Sequence, residues 1–124
     1  MGYVETLGST SPDRLIAGQF PQVLEAAQIA PSQVLKRGTV LGRITENGYC
    51  VAVNSAAVDG SKDIFAVLAE DITTDASALY AEVYLTGEFN INALFFGGSD
   101  TAATHKDNAR KLCIFFRDSV KATQ

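Results

Sequence analysis

At 124 residues the chain has room for one domain with a substantial core and not for two. Its 47% hydrophobic content excludes a mainly unfolded polypeptide, no apolar run approaches the roughly 20 residues needed to span a bilayer, and the opening MGYVETLGSTSPDR lacks the basic start and apolar middle of a signal peptide. The formal net charge of −4 comes with Lys and Arg scattered from Arg14 to Lys121, which argues against DNA or RNA as a direct partner, because nucleic-acid binding needs a clustered cationic surface to displace counterions.

The first 20 residues differ from the rest in being rich in Gly, Ser, Thr and Pro, with no sustained apolar period. Such a stretch has too little apolar surface to offset its ordering entropy, so residues 1–20 are expected to form a flexible arm and residues 21–124 a single domain. Leu15, Ile16, Phe20 and Val23 are apolar residues that a purely solvating tail would not need, and Pro12 and Pro21 favour extended backbone. Either this is an ordinary frayed terminus or it becomes ordered against a partner.

From Gln22 to Ile29 helix-favouring residues lie between two prolines, and the weak preference is for an extended segment. Val34 to Thr45 predicts a strand with a bulge or close approach at a glycine, Gly38 or Gly42. Glu46-Asn47-Gly48 carries the Asn-Gly pair preferred in two-residue hairpin turns, and Tyr49 to Val53 returns as the second strand. A small-residue loop, Asn54 to Asp63, precedes the two runs at the centre of the fold, Ile64 to Leu68 and Leu79 to Leu85. The second run alternates. Leu79, Ala81, Val83 and Leu85 are expected on a core face, and Tyr80, Glu82, Tyr84 and Thr86 on the other. Ile91 to Phe96 is a further apolar run that stops at Gly97-Gly98. Ser99 or Asp100 is expected to cap a helix through His105, Ala109 and Leu112, followed by a last strand from Cys113 to Phe116. The reading is mainly β with one C-terminal helix, an α+β domain.

Reactive chemistry is sparse. His105, beside Lys106 and Asp107, reads as a surface residue; Cys50 and Cys113, in strand-like apolar settings, read as two buried reduced thiols, with a disulfide between them as the alternative. Gly-x-Ser-x-Gly, Walker-type and Gly-x-Gly-x-x-Gly sequences are absent, and two distant cysteines with one histidine give no zinc spacing. Asp59, Asp63, Glu70, Asp71 and Asp75 form an acidic group without the alternating donors of a calcium loop. No cofactor or metal is expected, and a binding or structural module fits better than an enzyme.

Five stretches in order, Arg37-Gly38-Thr39-Val40-Leu41-Gly42-Arg43-Ile44-Thr45, Asp59-Gly60-Ser61, Ala66-Val67-Leu68-Ala69-Glu70-Asp71, Thr86-Gly87-Glu88-Phe89-Asn90 and Arg110-Lys111-Leu112-Cys113-Ile114, resemble successive landmarks of the head decoration proteins of lambda-like tailed phages. The resemblance implies a β-clip or β-tulip-like domain that trimerises on the outside of the head at three-fold positions. It also implies an N-terminal arm that becomes ordered on the major capsid protein, assembly in the host cytoplasm and residence in the virion as a head-stabilising structural protein. On that reading Leu15, Ile16, Phe20 and Val23 are the candidate capsid-binding residues of the arm. Phe89, Leu94, Phe95 and Phe96 are candidates for the trimer interface, with ordinary core packing as the alternative for all four. Two competing functions follow from other considerations: a trimeric β-clip enzyme of the nucleotide-hydrolase type, since fold does not fix function, or an exterior carbohydrate-binding module.

Overall fold

Apolar alternation places the strands and glycines interrupt them. The computed structural model describes residues 14–118. In chain order these hold β1 (Leu24–Ile29), β2 (Val34–Leu35), β3 (Val40–Arg43), β4 (Cys50–Ala52), β5 (Ile64–Leu68), β6 (Ile72–Thr73), β7 (Leu79–Tyr84), β8 (Gly87–Asn90), a 3-10 turn (Ile91–Ala93), α1 (Ala102–Lys111) and β9 (Ile114–Arg117). The protein is thus mainly β with one C-terminal helix, as its sequence predicts. Five strands close into a barrel in the order β1-β4-β3-β5-β7, with β7 pairing back onto β1. Two short pairs stand outside it, β2 with β6 antiparallel and β8 with β9 parallel.

The interior divides into two apolar clusters that share the wall formed by β3 and β5. Ala27, Ile29, Leu41, Cys50, Ala66, Leu68, Ala81 and Val83 fill the barrel. On the far side of the wall, Val40, Ile64 and Val67 join Leu15, Tyr84, Phe89, Ala109 and Ile114 in the second cluster, which α1 and the β8–β9 pair cover. Strand β5 is buried on both faces because it separates the two. Its register against β3 slips at Leu41↔Ala66 and Gly42↔Ile64, leaving Phe65 unopposed. The extra residue reverses the alternation, so that Ile64 faces one cluster and Ala66 the other. Gly42 sits opposite this bulge with no room for a side chain, since a Cβ there would run into the carbonyl oxygen of Ser61. The sequence predicts a bulge or a close approach at a glycine of this strand; Gly42 makes the close approach, while the bulge itself lies opposite, at Phe65 of β5.

Several local expectations are corrected. The predicted strand Val34 to Thr45 is two strands, because Gly38 takes a φ of 98° that no extended run sustains and turns the chain between β2 and β3. The β3–β4 hairpin closes through a longer loop than the two-residue turn: Ile44 N–H donates to Tyr49, Gly48 adopts a φ of 77°, and the Asn47 side chain accepts from the Tyr49 N–H. In β7, Ala81 and Val83 point into the barrel as predicted, but Tyr84 is buried in the second cluster and Leu79, at the barrel's rim, is exposed. The helix is capped by Thr101, whose side chain and that of Thr104 bond reciprocally across the first turn, and not by Ser99 or Asp100.

The cysteines differ from the expected pair of buried thiols. Cys50 lies in the barrel and is fully buried, whereas Cys113 is exposed, at a φ of 62° in the turn from α1 to β9. Burial pushes the Cys50 thiol up to about 11, against the opposing pull of Arg43. Since the thiolate is the reacting species, an aromatic disulfide reagent at neutral pH is expected to titrate one thiol at once, and the second only on unfolding. Loss of the fast phase in a Cys113→Ser variant would confirm the assignment, and two fast thiols would refute it.

Candidate functional site

Leu15 to Val23, expected to belong largely to an unattached arm, is bound to the domain along β8 and the turn before it. Ile16 bridges Phe89 in antiparallel register; Ala17 N–H donates to the Glu88 carbonyl at 2.9 Å, and Asn90 N–H donates to the Leu15 carbonyl at 2.8 Å. The Leu15 side chain is only 1% exposed and lies in the second cluster. Glu88 closes over this segment. One carboxylate oxygen accepts from the Phe20 N–H at 2.9 Å, the other from the Arg117 guanidinium at 2.6 Å, and its side chain fills the space beside Gly18 where a Cβ would stand. Phe20 sets its ring against Phe115 edge to face, with centroids 5.0 Å apart. Thr86 accepts from the Val23 N–H and donates to the Pro21 carbonyl. Residues 1–13 of the expected arm lie outside the described residues.

The arm candidates therefore separate. Leu15 is in the core, Ile16 and Phe20 are partly buried at the segment's attachment, and Val23 is 49% exposed. Sequence reasoning gave Glu88, Thr86 and Arg117 no part in this arrangement. Their partners lie far away along the chain, 68 residues for Phe20 and Glu88, so no local pattern could announce them.

The interface candidates separate as well. Phe89 is fully buried and tilts against Tyr84 at 5.4 Å, which is core packing. Leu94 is partly buried against the second cluster, and Phe96 stacks on the His105 ring at 6.0 Å with its edge toward Phe116. Phe95 alone of the four presents half its surface, at 49% exposure. Its backbone is fixed on both sides, its N–H donating to the Gly38 carbonyl and its carbonyl accepting from Val40. Its ring separates two surface hollows. One, of about 270 Å³, is lined by Val34, Leu35, Ala52 and Phe96; the other carries Arg37, Glu70 and Asp71, and Lys36 lines both. Val34 is 76% exposed, so the apolar character of the first hollow continues to its rim. Phe95 thus offers a half-exposed aromatic ring, on a backbone bonded on both sides, beside an apolar hollow.

His105, predicted at the surface, is the main correction to the chemistry. It is 2% exposed, and its Nε2 lies 2.7 Å from Asp100 Oδ2. Asp100 also accepts from the Ser55 N–H and hydroxyl, each at 2.7 Å. While Asp100 is ionised it can only accept, so His105 Nε2 carries the donated proton. Serine, aspartate and histidine are thus gathered in the wrong order for nucleophilic catalysis. The carboxylate stands between hydroxyl and imidazole, and the Ser55 proton is directed to Asp100, not to a base. What the trio does is tie the loop after β4 to the first turn of α1. The sequence could not reveal this, because the polar neighbours of His105 in the chain face solvent while its ring turns inward onto Phe96. Among the described residues no group of three or more His, Cys, Asp or Glu side chains is placed to hold a metal ion.

Two surface features stand out: a segment fastened along β8 and an exposed aromatic beside two hollows. A search of curated proteins finds none that matches the chain. The sequence model described as bacteriophage lambda head decoration protein D matches residues 8–113, most of the chain, and the protein belongs to that family of phage head decoration proteins.

Proposed function

We propose that the protein decorates the exterior of the expanded phage head as a homotrimer at three-fold positions, each subunit gripping a different copy of the major capsid protein, and so stabilises the head against the outward pressure of its DNA. A structural, capsid-decorating role and a place in the virion follow from family membership. The observation that carries the mechanical reading is the attachment of residues 15–23. Main-chain bonds to β8, the buried Leu15 and the Glu88 clasp join the chain leaving toward residue 1 directly to the core. Tension on residues 1–13 would be delivered to the β8–β9 pair and the second cluster, not to a loose connection. On this reading Leu15 anchors the arm to its own domain, and capsid contact falls to residues 1–13 and to exposed neighbours such as Val23.

An extended segment that adds to a sheet edge gains main-chain hydrogen bonds that tolerate sequence variation, and gives back about 2–5 kcal/mol in ordering. One arm is then weak. Three on one trimer raise the effective concentration for each later contact, with avidity roughly 10²–10⁴ above a single arm. A trimer that binds the expanded shell and not its precursor stabilises the expanded form by mass action.

Deletion of residues 1–13 is expected to leave a folded protein with unchanged melting that no longer adds to expanded heads in co-sedimentation or electron microscopy. Full occupancy by the truncated protein would overturn the arm's role. The cut must stop before residue 14, because removing Leu15 would confound loss of binding with loss of the core.

A further inference from the structure

The loop from Asn54 to Ser61 projects an apolar tip, and Val58 at its apex is 99% exposed. A lone exposed valine is ordinary. This one differs in how its loop is held. Asn54 N–H donates to the Ser61 carbonyl across the base, and Thr45 N–H donates to the Asp59 carbonyl. Ser55 is fastened to Asp100, and Asp59 accepts from both the N–H and the hydroxyl of the buried Ser61. Those bonds from Ser61 also hold the Asp59 carboxyl below its usual range. The loop therefore presents an aliphatic group next to a carboxylate on a backbone with little freedom left to lose on binding.

The hollow beside Phe95 has the matching chemistry: an apolar floor with Lys36 at its margin. Lys36 lines both hollows, but Glu70 and Asp71 line only the second and would repel Asp59, so an incoming loop is favoured in the first. A closed ring of identical subunits joins two different patches of the same chain at each contact. We propose that Val58 of one copy seats in the Phe95 hollow of the next, with Asp59 against Lys36, and that this knob-in-hollow contact, repeated around the ring, is the specificity-determining joint of the assembly. The proposal rests on the homotrimer reading above and assigns its interface.

The test is sedimentation of the full chain over a range of concentrations, with folding followed by thermal melting. Val58→Glu is expected to raise the dissociation midpoint at least about tenfold with unchanged monomer melting, and Lys36→Glu to weaken association while Lys36→Arg retains it. In a Cys113→Ser background, Val34→Cys combined with Val58→Cys is expected to give covalent trimers under mild oxidation, and either substitution alone is not. Wild-type trimers that persist unaltered in Val58→Glu, or a double-cysteine protein that stays uncrosslinked, would overturn the contact and leave the trimer standing. A wild-type protein that is monomeric throughout would remove the trimer reading itself, and this contact with it.

Discussion

Replacing Leu15 with alanine is expected to destabilise the protein by about 2–5 kcal/mol, the range for deleting a buried leucine side chain in a core that relaxes only partly. For a domain of this size that is a fall in melting temperature on the order of 10 °C. The argument rests on placement. Leu15 is 1% exposed and belongs to the cluster that includes Val40, Phe89 and Ile114. The bond from Asn90 N–H to its carbonyl keeps the backbone from following the smaller side chain into the cavity. Deleting residues 1–13 is expected to have no comparable effect, and the contrast locates the boundary between arm and domain. Calorimetry of both proteins reads it directly. A Leu15→Ala variant that melts within a degree or two of wild type would show that the segment is not part of the core.

That boundary illustrates what the sequence makes legible and what it does not. Local pattern identifies β7 and β5 because a half-buried strand alternates and a fully buried one is a continuous apolar run, and Gly42 marks a close approach because the Ser61 carbonyl leaves no room for a side chain. Phage-decoration landmarks were readable because five separated stretches fall in order. The second cluster was not readable. It is assembled from Leu15, Tyr84, Phe89, Ala109 and Ile114, residues from five parts of the chain. Two of them carry misleading local signals: Leu15 sits in a polar Gly- and Ser-rich stretch, and Tyr84 falls on the polar face of an alternating strand. His105 and Cys113 fail in opposite senses for one reason. Their chain neighbours describe a local average, polar helix for His105 and apolar strand for Cys113, whereas burial of each is decided by a single side-chain direction, toward Phe96 for His105 and outward at a left-handed backbone position for Cys113. In the proposed interface, Phe95 and Phe96 are adjacent and equally aromatic, yet only Phe95 remains half exposed. No sequence pattern distinguishes them.

The bonds converging on Asp100 lead to the second prediction. Asp100→Ala removes the acceptor for three donors, the exposed Ser55 N–H and hydroxyl and the His105 Nε2–H, the last in a contact whose side chains are 3% exposed on the histidine and 4% on the aspartate. Leaving the buried His105 donor without its acceptor costs about 1–3 kcal/mol, while the exposed Ser55 donors return to water. The loss should also depend on pH. Burial is the largest influence on the Asp100 carboxyl and disfavours its charge, but the bonds from Ser55 and His105 together outweigh it and hold the group below its ordinary range. A carboxyl whose pKa is depressed by folding contributes its stability in full above its unfolded value, roughly 3.9, and loses that contribution as the pH falls through the folded value. The contribution of the Asp100 charge to the difference in unfolding free energy between wild type and Asp100→Ala is therefore expected to shrink below about pH 4. Asp59, whose carboxyl is depressed by its bonds from Ser61, titrates in the same direction in both proteins and cancels in the difference. Urea titrations at four pH values measure it. A difference that persists undiminished at pH 3 would mean that Asp100 holds the loop and helix together as a neutral acid, and that its charge contributes nothing.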